Sequence, residues 1–138
     1  MNASRRVAAS ALLALLAACA GNPGPGDPGY PYNVSGTYSG RFMVEGQSLG
    51  ATLSLQTSPG GVVGGEVQVP DMGVTAEVEG TVAANQLTLR IAYFNPVTRC
   101  DGLAEGTVTV TEGGATFSGP VTIIECGQSM GASLTFRR

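Results

Sequence analysis

From residue 34 to residue 138, apolar and polar side chains alternate almost without interruption. A period of two marks strands with one buried face, and here Gly or Pro falls at the breaks. Tyr38, Gly40, Phe42 and Val44 alternate with Thr37, Ser39 and Arg41. Leu49, Ala51, Leu53 and Leu55 alternate with Gly50, Thr52, Ser54 and Gln56. The pattern recurs from Val63 to Val69, Val74 to Val82, Leu87 to Tyr93, Gly106 to Val110, Phe117 to Val121 and Ala132 to Phe136, which makes eight segments. The connections "EGQS", "TSPGG", "PDMG", "AANQ", "NPVT", "TEGG" and "ECGQ" are short and turn-like. Facing Val82 with Leu87 also faces Val78 with Ile91. Facing Val69 with Val74 sets Gly65 against Val78, and facing Val44 with Leu49 sets Tyr38 against Leu55. Apolar meets apolar each time, as one dry face requires. The pattern predicts an all-β domain, an eight-stranded antiparallel up-and-down barrel over residues 34–138, because closure removes both edges. A two-sheet sandwich is the alternative. Glycines 40, 65, 80, 106 and 119 share the inward parity, where a small barrel bends most sharply.

The same parity bears on chemistry. Arg41, Glu66, Glu77, Glu79, Arg90, Asp101 and Glu105 all point outward, while inward positions are aliphatic, Gly, Phe or the phenols of Tyr38 and Tyr93. No inward pair of titratable groups is expected, so the usual basis of an acid–base site is missing. Absence of His removes the commonest general base and metal ligand. Without His or Lys, no serine has a partner to activate it. These readings predict a protein that is not an enzyme and holds no cofactor or metal. One outer constellation stands apart: Glu66 faces Glu77, and Glu79 faces Arg90. Three carboxylates together would suit a hard cation, but a solvated face with Arg90 offsetting the acids is the simpler reading.

The alternation is absent before residue 34. Arg5 and Arg6 precede twelve residues, 7–18, that are apolar apart from Ser10. Twelve helical residues rise about 18 Å, well short of the roughly 30 Å hydrocarbon core, so the segment reads as an export signal rather than a span. Its end, Leu16-Ala17-Ala18-Cys19, resembles the lipobox of bacterial lipoproteins. The resemblance implies cleavage before Cys19, diacylglycerol on its thiol, an acylated N-terminus, and residence in the cell envelope, with Ala20 pointing to the outer membrane. Several acyl chains anchor stably where one is marginal. Residues 20–33, "AGNPGPGDPGYPYN", hold four prolines and four glycines and read as a tether reaching up to about 40 Å, with Tyr30 and Tyr32 solvated or, alternatively, touching the headgroup region or the domain. Processing would leave five arginines against ten acidic residues, a net charge of −5, which disfavours nucleic acid as a partner. With Cys19 lipidated, Cys100 and Cys126 remain as one disulfide in an oxidising compartment. Pairing Val110 with Ala115 sets Cys100 one residue from facing Cys126, and a bulge near Gly119-Pro120 would correct the offset.

Gly36-Thr37-Tyr38 and Phe136-Arg137 give the domain a resemblance to the lipocalin and avidin class of small barrels. In that class a Gly-X-Trp opens the first strand and an Arg of the last strand packs across it; here Tyr38 takes the place of Trp. The layout of anchor, tether and disulfide-bearing barrel is similar to bacterial lipoproteins of the proteinase-inhibitor type. Together these imply a membrane-held binding or structural module, a proteinase inhibitor in its sharpest form. The alternative is a lipocalin-like carrier of a small hydrophobic ligand. Five large inward rings, Tyr38, Phe42, Tyr93, Phe117 and Phe136, are expected to fill much of the interior.

Overall fold

Strands form where the alternation places them, in a computed structural model whose described residues are 32–138. They are β1 (Gly36–Val44), β2 (Gln47–Thr57), β3 (Val62–Val69), β4 (Val74–Ala83), β5 (Gln86–Asn95), β6 (Cys100–Thr111), β7 (Thr116–Glu125) and β8 (Gln128–Arg137). Each pairs antiparallel with the next, and β8 returns to β1, so the sheet is a closed barrel rather than a sandwich. The buried residues are those of inward parity, from Tyr38 and Phe42 on β1 to Leu134 and Phe136 on β8. Gly65 and Gly40 show why a side chain is missing on the inner wall. A Cβ at Gly65 would run into the Ser54 carbonyl of β2, and one at Gly40 into the Thr135 carbonyl of β8.

The registers expected for β3–β4 and β4–β5 are those observed. Two others differ by two residues, a shift that keeps every side chain on its face. In β1–β2, Val44 faces Gln47 and Phe42 faces Leu49, not Ala51. The turn is only Glu45-Gly46, with φ of 49° and 80°, the two-residue form whose twist suits a hairpin. In β6–β7, Val110 faces Phe117 because Gly113 and Gly114, at φ 65° and 101°, draw more residues into the turn. Gly102 faces Glu125 in that same register, so the expected bulge at Gly119-Pro120 inserts no residue. The strands run further than their alternation suggested: β6 begins at Cys100 and β7 continues to Glu125.

Cys100 and Cys126 form a disulfide with Cα atoms 5.3 Å apart. Cys126 sits in the two-residue β7–β8 turn with Gly127. Cys100 opens β6 opposite Asn95. The bridge therefore ties the β5–β6 connection to the β7–β8 turn, at one rim of the barrel.

Candidate functional site: an apolar cup with a carboxylate at its mouth

Four of the five inward rings, all but Tyr93, gather toward one end of the barrel. Phe117 lies 4.8 Å from Tyr38 and 5.5 Å from Phe136, and Phe136 lies 5.5 Å from Phe42, centroid to centroid. Tyr38, Phe117 and Phe136 are fully buried. The Tyr38 hydroxyl donates to the carbonyls of Gly114 (2.6 Å) and Val34 (3.0 Å), so the segment before β1 is drawn under the barrel. Burial raises the Tyr38 phenol above its ordinary range, against a smaller opposing effect of Arg138. Arg138 is the cation over this ring, 5.9 Å from its centroid, and its Nη1 donates to the Ser35 carbonyl. The lipocalin-like resemblance rested on Arg137. That side chain is instead exposed and reaches Glu112 at 3.4 Å, since strand alternation points it outward. Tyr32 packs against the core, the alternative to the solvated ring favoured by the sequence.

Concentrating the rings at the base leaves the other end hollow. Beside the β1–β2, β3–β4, β5–β6 and β7–β8 connections lies a cavity of about 340 Å3, to which all eight strands contribute side chains. Its floor and walls are apolar and include Phe42, Val67, Ile91, Ala104 and Ile123, with Met72 of the β3–β4 turn and Met130 at the rim. The expectation of a filled interior therefore holds for the base and fails for the mouth. Period two fixes which face a ring takes but not its height along the barrel; cross-strand register sets that, and it places Phe117 directly opposite Phe136.

Three polar side chains converge at the mouth. Tyr93 Oη and Asn95 Nδ2 each donate to Glu125 Oε1, at 3.0 Å. Asn95 is almost wholly buried, and its Oδ1 accepts from the Val97 amide at 2.9 Å, closing the β5–β6 turn on itself. Gly102 makes the arrangement possible. It faces Tyr93 on one side and Glu125 on the other, and the Tyr93 ring occupies the space a Gly102 Cβ would take. The phenol thus crosses the side-chain-free strand to reach the carboxylate. Burial raises the Tyr93 phenol far above its ordinary range, and the hydrogen bond and charge of Glu125 add to the shift.

This cluster corrects the expectation that no titratable pair faces inward. Glu125 carries the parity of Phe117, Val121 and Ile123, but it lies in "ECGQ", which reads as a connection when the strand is ended at Val121. Continuing the alternation two further pairs past Val121 was the signal that would have found it. Glu66, Glu77 and Glu79 are brought together as their registers required, all exposed. Glu66 Oε1 accepts from Gln68, and Arg90 lies 3.9 Å from Glu105 of β6. Among the described residues no group of three or more His, Cys, Asp or Glu could hold a metal ion. The segments expected to be an export signal and a tether, with Cys19, lie through residue 31 outside the described residues. The chain matches no protein-family model, no curated protein and no solved structure.

Proposed function

We propose that this barrel is a non-enzymatic binding module of the bacterial cell envelope, held to a membrane by lipid on Cys19, that takes a small, mainly apolar ligand into its cup. The cavity carries the reading. Its volume falls at the low end of the roughly 300–1,000 Å3 of ligand pockets, and it has the usual make-up of apolar walls with a few convergent polar groups. It is about twice the ~150 Å3 that accepts benzene in an engineered core. The fitting ligand has on the order of a dozen non-hydrogen atoms. A barrel serving only as a spacer gains nothing from leaving such a volume unpacked, since each lost contact weakens the core. The Tyr93–Glu125 pair favours binding over catalysis. The phenol is moved away from neutrality, the wrong direction for proton exchange near pH 7. An inhibitor would have to send the chain ahead of β1 into a protease cleft, whereas Val34 is buried and Tyr32 is packed on the core.

Naphthalene, neutral and without a head group, tests the cup by itself. Calorimetric titration of the full chain is expected to show saturable one-to-one uptake. Ala104→Phe, which fills the cavity from a buried lining position, should abolish it. Heat that never saturates, or uptake unchanged in Ala104→Phe, removes the reading.

The anchor is tested separately. Cys19→Ser is expected to move the protein from the membrane to the soluble fraction and to leave residues 1–18 uncleaved. Mass spectrometry finding an unmodified Cys19 in the membrane-extracted protein rules the anchor out.

A further inference from the structure

The mouth of the cup has a sign. Its polar lining comprises the carboxylates of Glu125 and Glu45, the Tyr93 hydroxyl and the amides of Asn95 and Gln47, with no Arg among them. The chain contains no Lys and no His. The Tyr93 hydroxyl hydrogen and one Asn95 amide hydrogen both go to Glu125 Oε1, which leaves only neutral amide donors beside the carboxylates. Oε2 accepts no hydrogen bond among the described residues. Every formal charge in the lining is therefore negative, and Oε2 is a charged acceptor open to an incoming donor. Glu125 is held at half-burial by two donors, and Gly102 leaves room for one of them to reach it. Glu45, exposed on the β1–β2 turn, also lines the cavity.

We infer that the cup selects apolar molecules bearing a cationic, hydrogen-donating head, an alkyl- or arylalkylammonium, whose ammonium group sits at Glu125 while its hydrocarbon part lies on Ile91, Ala104 and Ile123. The inference rests on the cup being a ligand site and adds the class of ligand. A fatty acid of equal length has the wrong sign. Its carboxylate would meet two others in a partly enclosed mouth with no cation in the lining, where like charges repel more strongly than in water. A neutral alcohol can donate a single hydrogen bond to Oε2 and lies between the two. An ammonium group brings three donors and a full charge, and charge-assisted hydrogen bonds are about twice as strong as neutral ones. The acidic balance of the chain, seven cations against ten acids, adds attraction at long range.

The test is a head-group series on one hydrocarbon: octylamine, octanol and octanoate, titrated calorimetrically at pH 7 into the full chain and into Glu125→Gln. Glutamine keeps an acceptor oxygen for Tyr93 and Asn95 while removing the charge. Octylammonium is expected to bind at least about tenfold more tightly than octanol, with octanoate weakest. Glu125→Gln should collapse that preference to within about threefold while leaving octanol affinity in place, which also shows that the variant is folded. Equal affinities for the three head groups, tightest binding of octanoate, or a preference that survives Glu125→Gln overturns the inference while the cup stands. Naphthalene and octanol both failing to bind overturns the cup itself.

Discussion

Replacing Phe117 by alanine is expected to cost the domain about 3–5 kcal/mol, the range for a large aromatic side chain removed from a core. Phe117 is fully buried and lies between Tyr38 and Phe136, so alanine would break two ring contacts. Aromatic pairs of this kind are worth roughly 0.5–1.5 kcal/mol beyond the area they bury. Little can collapse into the space. Phe136 is held directly opposite by the β7–β8 register, and the Tyr38 hydroxyl is fixed by the Gly114 and Val34 carbonyls. Single domains have only about 5–15 kcal/mol in total. The melting temperature should therefore fall by on the order of 15–30 °C. Thermal melting followed by circular dichroism measures that fall, and urea unfolding measures the lost stability, with the midpoint lowered and the slope unchanged. Phe117 lies outside the cavity lining, so naphthalene uptake by the folded fraction should persist. A loss under about 1 kcal/mol would mean that the base is not the tightly packed end of the barrel.

The division into packed base and hollow mouth is what the sequence conceals. Alternation reports the face of a strand, and it assigned every ring of Tyr38, Phe42, Tyr93, Phe117 and Phe136 to the interior, where each belongs. Height along the barrel depends on register summed across strands, and two registers, β1–β2 and β6–β7, are displaced by two residues from those the turn sequences imply. The cause is local in each. Glu45 adopts positive φ beside Gly46, a conformation that Asn or Asp signals far better than Glu. At the other turn, Glu112, Gly113 and Gly114 are all at positive φ and lengthen the connection. Parity survives a shift of two, so the buried set was legible while the cup was not. Glu125 was lost for a related reason. A Glu-Cys-Gly-Gln string looks like a turn, yet only Cys126 and Gly127 lie in one. The role of Gly102 is visible only once the ladder sets it between Tyr93 and Glu125.

Reducing the Cys100–Cys126 bridge is expected to lower stability by up to about 3.5 kcal/mol, the chain-entropy value for closing a loop of that length, without opening the barrel. The sequence separation is 26 residues. The loop it closes holds nearly all of β6 and β7, whose ladder survives on its own hydrogen bonds and on buried Ala104, Val108, Phe117 and Val121. Much of the effect lies in the unfolded chain, which regains freedom once the bridge is cut. The remainder is local and falls on the mouth. Cys126 follows Glu125 directly, and Cys100 faces Asn95, so the bridge fixes the strand ends that carry both partners of the 3.0 Å hydrogen bond between them. Opening it should loosen that contact while the packed base, at the far end, stays unchanged. Urea unfolding of the oxidised and reduced full chain measures the first effect, and amide hydrogen exchange at residues 95–102 and 123–128 measures the second. Exchange should quicken there and stay slow at Tyr38, Phe117 and Phe136. Equal midpoints in the two states would show that the bridge adds no constraint to the unfolded chain. Equally faster exchange at both ends would show that the bridge supports the whole barrel and not its mouth.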